Sequence, residues 1–263
     1  MELSVVVPTF NERDNIELLY NSIDKVLVGR EWEVVFVDDN SPDGTSDKIR
    51  ELASKKNNVR LLERIGRRGL SSACIEGMMS CASEYLVVMD ADLQHDENLL
   101  LPMIQSIQNK QCNLAVGSRF ISGGTANDGL TVIRKKGSEL ANKLAKVILG
   151  NNSITDPMSG FFVIEASIFQ KLVRNLSGRG FKILFDICSH GGDTIRLKEF
   201  AYNMKARNRG ESKMDLKVVT DFLVMLVEKR TVRALPIRFI LFVLVVPLVC
   251  YFILRFYGFP FLF

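Results

Sequence analysis

The sequence predicts an α/β protein built on a mainly parallel central sheet, and two observations predict it. Short apolar segments alternate with helical patterns over the first 120 residues, which is typical of a parallel sheet covered by helices on both faces. Polar clusters follow the apolar segments where each one ends, and sheets of this kind bind ligands at the carboxyl ends of their strands. The 263 residues suffice for one large domain with an appendage.

Each predicted strand is a short apolar segment bounded by turn-forming or polar residues. The segments are SVVVP (4–8), EVVFV (33–37), VRLLE (59–63), YLVVM (85–89) and NLAVG (113–117). Helical spacing of apolar residues predicts a helix after each of the first four. These predicted helices span 12–28, 45–55, 70–81 and 97–109.

The pattern changes after residue 120. A glycine-rich loop (121–129) leads into a predicted amphipathic helix (131–149) with a basic polar side. That basic side fits a solvated face and a helix lying on lipid headgroups about equally well. Further predicted elements are a turn into a strand (156–165), helices (165–176 and 182–190) and a strand (194–202).

The C-terminal region predicts a membrane segment. Residues 239–254, FILFVLVVPLVCYFIL, carry no charge, and Arg255 alone interrupts the apolar stretch up to 263, about the span of a hydrocarbon core. A buried core helix is the alternative, but a helix apolar on every face at this end of the chain seldom finds enough protein to cover it. A single crossing is favoured over a hairpin because too few residues remain for a second.

The predicted organisation is a cytoplasmic catalytic domain (1–213), an amphipathic juxtamembrane helix (214–233) and one transmembrane segment (234–263). Basic residues just before the charge-free stretch 239–254 place the preceding domain in the cytoplasm by the positive-inside rule. These residues are Lys229, Arg230, Arg233 and Arg238. The N-terminal residues show no basic region and no cleavage site, so no signal peptide is expected.

Composition and missing motifs exclude several classes of protein. A net charge of +4 does not indicate a nucleic-acid partner, although it suits an anionic membrane surface. The five cysteines show neither CxxC pairs nor zinc spacing, and are interpreted as small core residues in a reducing compartment. No GxxxxGK[ST] loop and no GxGxxG after the first strand are present, which argues against an ATPase, a GTPase or a dinucleotide enzyme.

The stretch DADLQHD follows the fourth predicted strand and predicts a divalent metal site. Asp90 and Asp92 are one residue apart, so alternation along an extended chain would turn both carboxylates, and Gln94 after them, towards one point. Oxygen ligands of this kind suit Mg²⁺ or Mn²⁺, whereas zinc would find only His95 as a nitrogen ligand. The alternative is helix capping, which Asp96 is expected to perform but which does not explain the other acids.

A second acidic cluster, VDDNSPDGTSD, follows the second predicted strand. Asp38 or Asp39 at that place can bind a base or a ribose hydroxyl, as an acid does in other nucleotide-binding α/β folds. The alternative is a turn rich in Asx residues that binds no ligand. The neighbouring DADLQ stretch favours the nucleotide interpretation.

Taken together, the chain resembles the inverting family 2 glycosyltransferases of the GT-A fold. Within them it is most similar to the dolichol-phosphate mannose synthases and their bacterial polyprenyl-phosphate relatives. The stretches that carry the resemblance are VVVPTFNERDNI, VFVDDNSPDGT, RIGRRGLSSA, VVMDADLQHD, GSRF, DPMSGFF and GESK. They cover residues 4 to 213 in the order of the family, and the pair DADLQHD with DDNSPDGT is highly specific.

The resemblance implies a role for individual residues. The implied nucleotide-binding residues are Pro8, Asn11, Glu12, Asp39, Asp43, Arg64, Gly69, Asp90 and Ala91. The implied metal ligands are Asp90, Asp92 and Gln94. The implied acceptor-phosphate residues are Arg119, Arg134, Ser138, Arg207 and Lys213, and catalysis would depend most on Asp92 and Arg119. The chain departs from the usual family pattern at Phe10, where many members have tyrosine, and at Arg67 and Ser71.

The implied reaction is transfer of a sugar from a nucleotide donor to a polyprenyl or dolichyl monophosphate, with Mg²⁺ or Mn²⁺ as cofactor. Mannose from GDP-mannose is favoured, with UDP-glucose or another nucleotide sugar as the alternative. A non-catalytic, membrane-anchored subunit is a different class, disfavoured because the implied ligands are present. A polysaccharide synthase is disfavoured because no QxxRW-like motif is visible. A homo-oligomer or a small membrane partner is left open.

Overall fold

The computed structural model describes residues 1–124, 154–178, 180 and 182–205. These residues form a seven-stranded sheet with the strand order β3-β2-β1-β4-β6-β5-β7. The strands are β1 (Leu3–Thr9), β2 (Trp32–Asp38), β3 (Val59–Glu63), β4 (Tyr85–Val88), β5 (Leu114–Ser118), β6 (Phe162–Glu165) and β7 (Leu197–Ala201). All seven strands correspond to segments predicted from the sequence.

The sheet is mainly parallel. Strand β1 pairs in parallel with β2 and β4, β2 with β3, and β5 with β7. Strand β6 runs antiparallel to both of its neighbours, β4 and β5. The carboxyl ends of six strands and the amino end of β6 therefore lie along the same edge, which is called the binding edge below.

The helices agree with the predicted ones, with shorter bounds at most ends. They are α1 (Ile16–Val26), α2 (Thr45–Lys55), α3 (Leu70–Met79), α4 (Leu100–Gln108), α5 (Ala166–Leu172) and α6 (Ile183–Gly191). In the described part of the chain, four 3₁₀ turns lie beside them, at Arg13–Asn15, Glu97–Leu99, Val173–Asn175 and Gly192–Thr194. The predicted helices at 12–28 and 97–109 thus each begin with a 3₁₀ turn, which is common at helix termini.

Two apolar layers cover the sheet. Strands β1 and β2 are buried at every position, as expected for strands that contribute side chains to both faces. Val5 and Phe36 belong to the layer that includes residues of α1 and α4. Val6 and Val37 belong to the opposite layer with residues of α3, α5 and α6.

Helix α3 lies unusually close to the sheet at Gly77. A Cβ atom at this residue would lie 2.4 Å from Val6 Cγ1 and 2.8 Å from Val37 Cγ2. Only glycine allows this approach without a shift of the strands. The close packing fixes the distance between α3 and strands β1 and β2.

Several predicted segments lie outside the described residues, namely the basic helix (131–149), the juxtamembrane helix (214–233) and the transmembrane segment (234–263). Within the described ranges, no helix is both long enough and apolar enough to span a bilayer. The four cysteines in these ranges are all free thiols, and Cys74 and Cys112 are buried as predicted for core residues.

Candidate active site at one edge of the sheet

Asp38 joins the loops that follow β1 and β2. It is fully buried, and its carboxylate accepts hydrogen bonds from Thr9 Oγ1 (2.9 Å), Ser41 N (2.8 Å), Ser41 Oγ (2.6 Å) and Ser46 Oγ (2.8 Å). Asp38 and Asp39 were both considered for binding a nucleoside, but the carboxylate of Asp38 is already engaged in hydrogen bonds within the protein. Its role is to hold the two loops in one arrangement.

The two loops are also joined further from the sheet. Asn11 N donates to Ser41 Oγ at 2.9 Å, and Glu12 N donates to Thr45 Oγ1 at 3.0 Å. Asp43 is exposed; burial alone would raise its pKa, but hydrogen bonds from the side chain and backbone of Thr45 outweigh this and lower it. The predicted nucleotide-binding residues of these loops therefore lie side by side at the binding edge. Pro8 lies in β1 and is buried.

Arg64 holds the loop after β3 from the inside. Its side chain is 1 % exposed, and its Nη1 lies 3.1 Å from Asp39 Oδ1. Nη1 also donates to Gly69 O at 3.1 Å, and Nη2 donates to Ser72 Oγ at 2.7 Å. Gly69 N donates to Asp39 Oδ2 at 2.7 Å. Burial raises the pKa of Asp39, although the Gly69 N–H and the Arg64 guanidinium oppose this. Arg64 therefore orients Asp39 and the loop between β3 and α3.

Phe10 stands where many members of the resembled family have tyrosine. The guanidinium of Arg68 lies over its ring, 4.4 Å from the centroid, which is a cation–π distance. The aromatic ring thus links the loop after β1 to the loop after β3.

The acidic loop, residues 90–96, differs from the expectation in its backbone. Strand β4 ends at Val88, so Asp90 and Asp92 do not lie in a strand. The prediction that strand alternation orients both carboxylates was wrong. The chain turns instead at Leu93, whose φ of 61° is left-handed, and Gln94 N donates to Asp92 Oδ1 at 3.2 Å. Asp96 accepts from Asn98 N at 3.2 Å, so it caps the following 3₁₀ turn as predicted.

Asp90 lies among groups that favour its ionised form. His95 Nε2 lies 3.3 Å from Asp90 Oδ2, and the side chain of Asp90 is 36 % exposed. Desolvation would raise the pKa of Asp90, but the His95 hydrogen bond and the charges of Lys182 and Arg119 lower it below the usual value. Asp90 is therefore a carboxylate poised to face a cation.

Arg119 is held by the buried carboxylate of Asp156. Arg119 Nε donates to Oδ2 at 2.8 Å and Nη2 donates to Oδ1 at 2.9 Å, a bidentate pair in which Asp156 is fully buried. Desolvation opposes the charge of Arg119, but the Asp156 hydrogen bonds raise its pKa above the ordinary value. The guanidinium is thereby fixed at the carboxyl end of β5.

Asp156 is in turn positioned by Glu199 of β7. Glu199 accepts hydrogen bonds from Thr155 N (2.9 Å), Thr155 Oγ1 (2.8 Å) and Asp156 N (3.1 Å). Ser118 Oγ and Thr155 Oγ1 are 2.7 Å apart. The turn before β6 is thus attached both to the end of β5 and to β7.

Lys182 adds a second cation at the same place. Its Nζ donates to Met158 O at 3.0 Å. Burial and, to a smaller extent, the charge of Arg119 lower the pKa of Lys182 to about 8, against the opposing charges of Asp90 and Asp156. The binding edge therefore has an acidic part around Asp90 and a basic part around Arg119 and Lys182.

The oxygen donors of the acidic loop fit Mg²⁺ or Mn²⁺, which bind carboxylate and amide oxygens and keep positions for waters or phosphates. Gln94 Nε2 donates to Lys205 O at 3.0 Å, so the nitrogen end of its amide is used and the oxygen end is the one that could bind a cation. Within the described part of the chain, no group of three or more His, Cys, Asp and Glu side chains is arranged as a complete metal site. Two carboxylates and an amide suit a cation that takes further ligands from a bound diphosphate.

Four predicted acceptor residues, Arg134, Ser138, Arg207 and Lys213, lie outside the described residues. Predicted Ala91 is 4 % exposed between the two aspartates. Asp156, Lys182 and Tyr202 were not predicted. Asp156 lies in the quoted DPMSGFF stretch, so that motif was an available signal. No comparable signal marked the other two.

Comparisons with known proteins show which proteins the chain is similar to. A model of glycosyl transferase family 2 matches residues 4–173. A dolichol-phosphate mannosyltransferase of Pyrococcus furiosus is 38 % identical over 224 residues, which are 85 % of this chain and 62 % of that protein. Proteins of the same name from Mycosarcoma maydis and Saccharomyces cerevisiae are 33 % and 31 % identical, covering 92 % and 87 % of this chain and 84 % and 86 % of theirs.

Solved structures with the same fold include glucosyl-3-phosphoglycerate synthase of Mycobacterium tuberculosis. Its complex with Mn²⁺, UDP and phosphoglyceric acid superposes with a TM-score of 0.65 at 18 % identity, covering 89 % of this chain and 79 % of that one. Its complex with Mn²⁺, UDP-glucose and phosphoglyceric acid gives a TM-score of 0.63 at 18 % identity, covering 87 % and 79 %. The likeness at this identity concerns the fold.

Proposed function

Because the chain belongs to glycosyl transferase family 2, we propose that it transfers mannose from GDP-mannose to a polyprenyl or dolichyl monophosphate. The predicted resemblance to that family and the predicted α/β fold of the GT-A type are both confirmed. The enzyme is thus a glycosyltransferase. The chain spans 62 % of the length of its Pyrococcus furiosus relative, so substrates and partners belong to the proposal.

The observation that carries the proposal is the juxtaposition of an acidic and a basic part at one sheet edge. Arg119 and Asp90 are close enough that the charge of each shifts the pKa of the other towards the ionised form. A donor diphosphate and an acceptor phosphate are both anions, and bringing them together requires cationic groups on both sides. The binding edge offers a cation-binding loop for one and a fixed guanidinium for the other.

On the donor side, Asn11, Glu12, Asp39 and Asp43 would bind the nucleoside, with Arg64 and Gly69 fixing Asp39 from behind. Asp90, Asp92 and Gln94 would hold Mg²⁺ or Mn²⁺ against the diphosphate. A divalent ion bound there would neutralise the diphosphate and stabilise the departing nucleoside diphosphate. Pro8 and Ala91 would line the same cleft.

On the acceptor side, Arg119 would hold the lipid phosphate together with Arg134, Ser138, Arg207 and Lys213. A phosphate monoester is already anionic at neutral pH, so no general base has to remove a proton. One phosphate oxygen would bond to the anomeric carbon while the bond from that carbon to the donor diphosphate breaks. The nucleoside diphosphate would leave with the electron pair, and this single displacement would invert the anomeric centre.

The proposed place of reaction is the cytoplasmic face of a membrane. The charge-free stretch at 239–254, within the predicted segment 234–263, and the amphipathic pattern at 214–233 support a membrane anchor. The acceptor's isoprenoid tail stays in the bilayer, whereas the nucleotide sugar comes from the aqueous side. A homo-oligomer or a small membrane partner is compatible with this arrangement.

The test uses the detergent-purified full chain with Mg²⁺ or Mn²⁺ and a polyprenyl phosphate. Radiolabelled GDP-mannose and UDP-glucose are offered in parallel, and label is counted in the organic phase, with the Asp92→Asn variant as the inactive control. Label from GDP-mannose alone supports the proposal. Label from UDP-glucose alone replaces mannose by glucose, and bound nucleotide sugar without any transfer overturns the catalytic assignment.

A further inference from the structure

Three aromatic side chains form a connected array behind the acidic loop. His95 Nδ1 and the Tyr202 hydroxyl are 2.9 Å apart, and His95 Nε2 lies 3.3 Å from Asp90 Oδ2. His95 is 4 % exposed and Tyr202 is 3 % exposed. A continuous chain of hydrogen bonds therefore runs from a buried hydroxyl to the carboxylate of Asp90.

The direction of these hydrogen bonds follows from the chemistry of the partners. The ionised carboxylate of Asp90 can only accept, so His95 Nε2 must carry a proton to bond it. In a neutral imidazole with Nε2–H, Nδ1 is an acceptor, and the Tyr202 hydroxyl must then donate to it. The opposite tautomer would turn a nitrogen lone pair towards the carboxylate. Tyr202 thus selects the tautomer of His95 that bonds Asp90.

Ring packing fixes the orientation of the array. The His95 ring stacks on Phe161 at 5.1 Å with an interplanar angle of 25°, and Tyr202 meets the same ring edge-on at 6.1 Å and 86°. Phe161 is fully buried and packs against Gly117, where a Cβ atom would lie 2.7 Å from Cδ1 of the ring. His95 cannot turn away from Asp90 without displacing the core.

The same segment of chain also holds Gln94. Lys205 N donates to Gln94 O at 2.9 Å, and Gln94 Nε2 donates to Lys205 O at 3.0 Å. The segment after β7 therefore contacts the acidic loop at two points, through Tyr202 at His95 and through Lys205 at Gln94. Two of the three proposed metal ligands, Asp90 and Gln94, are oriented by it.

We propose that Tyr202 and His95 are positioning residues for cation binding, acting on the cation only through Asp90. Tyr202 fixes the His95 ring, and His95 fixes Asp90 Oδ2, which leaves Oδ1 directed at the cation. This inference rests on the proposed metal role of Asp90. Loss of groups that orient a metal ligand typically weakens metal affinity by about 10- to 100-fold.

The test measures Mn²⁺ affinity directly, from the signal of free Mn²⁺ in electron paramagnetic resonance, using the full chain in detergent with and without GDP. Tyr202→Phe and His95→Leu should each raise the Kd for Mn²⁺ by about ten-fold or more. His95→Gln keeps an N–H at the position of Nε2 and should recover most of the affinity. Tyr85→Phe, the same change at the opposite edge of the sheet, is the matched control and should leave the Kd unchanged.

A double variant tests whether Tyr202 acts through His95. Adding Tyr202→Phe to His95→Leu should cause no further loss of Mn²⁺ affinity, because the group it acts on is already gone. A further loss, or a Kd within two-fold of the wild type in Tyr202→Phe and His95→Leu, overturns the proposal. Failure of the wild type to bind Mn²⁺ overturns it as well. Mn²⁺ binding without sugar transfer would instead contradict the proposed function and leave this inference standing.

Discussion

Gly160 lies against the carboxylate of Asp90, so close that a Cβ atom at residue 160 would be 2.4 Å from Oδ2 and 2.9 Å from Oδ1. Real Cβ atoms do not approach oxygen so closely, and a side chain at residue 160 would have to push the carboxylate aside. The turn before β6 therefore sets the position of a proposed metal ligand in the loop after β4, the neighbouring strand of the sheet.

This relationship predicts that Gly160→Ala displaces Asp90. We expect the Kd for Mn²⁺ to rise and kcat/KM for transfer to fall by about ten-fold or more, since ligand orientation governs metal affinity. Gly191→Ala is the matched control, because its added methyl would clash with Ile195, away from the acidic loop. The control should lower the midpoint of thermal unfolding and leave the Kd for Mn²⁺ near the wild-type value.

Asp92→Ala removes a proposed metal ligand and should abolish sugar transfer. We expect a loss of at least about 100-fold in kcat, because the departing diphosphate loses its main source of charge stabilisation. The measurement is the label transferred to lipid at saturating Mg²⁺. Asp96→Asn, in the same loop but at the helix cap, should retain transfer. Near-normal transfer by Asp92→Ala would refute the metal assignment.

Arg119→Ala should impair use of the acceptor far more than binding of the nucleotide. The guanidinium is fixed by two hydrogen bonds to Asp156 at the carboxyl end of β5, on the basic side of the site. The KM for polyprenyl phosphate is compared with the Kd for GDP. Unchanged acceptor KM together with weakened GDP binding would move Arg119 to the donor side.

Arg64→Lys should weaken nucleotide binding and stability together. The guanidinium contacts Asp39, Gly69 and Ser72 at once, and a lysine ammonium cannot reproduce that fork. We expect a loss of about 2 kcal/mol or more in the free energy of unfolding, and a higher Kd for GDP. Arg67→Lys, an exposed change in the same loop, is the control. A normal Kd for GDP in a destabilised Arg64→Lys variant would limit Arg64 to a role in folding.

Lys182 should give the metal-free protein a dependence of stability on pH. Its pKa is lowered to about 8 from an ordinary 10.5. Between these values the unfolded chain binds the proton and the folded chain does not, so stability rises with pH. Relative to Lys182→Met, the free energy of unfolding of the wild type should therefore increase by up to about 3 kcal/mol from pH 8 to pH 10.5. The free energies of unfolding of wild type and Lys182→Met are measured in EDTA across this pH range, with Lys198→Met as the control for loss of charge. A difference between wild type and Lys182→Met that does not change with pH would contradict the lowered pKa.

The order of elements along the chain could be predicted from the sequence because it depends on local patterns. Alternating apolar segments and helices gave the strands at Leu3–Thr9 and Trp32–Asp38 and the helix at Thr45–Lys55. The place of β6 between β4 and β5, and its reversed direction, could not be predicted. Both depend on pairing between residues far apart in the chain, to which periodicity is insensitive.

Individual site residues, Arg119 among them, could be proposed from the motifs that contain them, but the partners that reach them from other strands could not. Asp90 and Asp92 stand together in one motif, whereas Arg119 and Asp156 are 37 residues apart and meet only in the fold. Tyr202 reaches His95 across 107 residues. The turn at Leu93 was missed as well, because a left-handed φ at a leucine is set by its surroundings and not by its own preference.

The hydrogen bond between Ser118 and Thr155 has a consequence for how this protein can diversify. It joins Ser118, the last residue of β5, to Thr155 in the turn before β6, so the two ends of the intervening chain are held together by a contact of 2.7 Å. Lengthening a segment whose ends are already joined costs little, about 0.6 kcal/mol for each doubling. The chain between these two residues can therefore vary in length at little cost in stability without altering the register of β5 and β6.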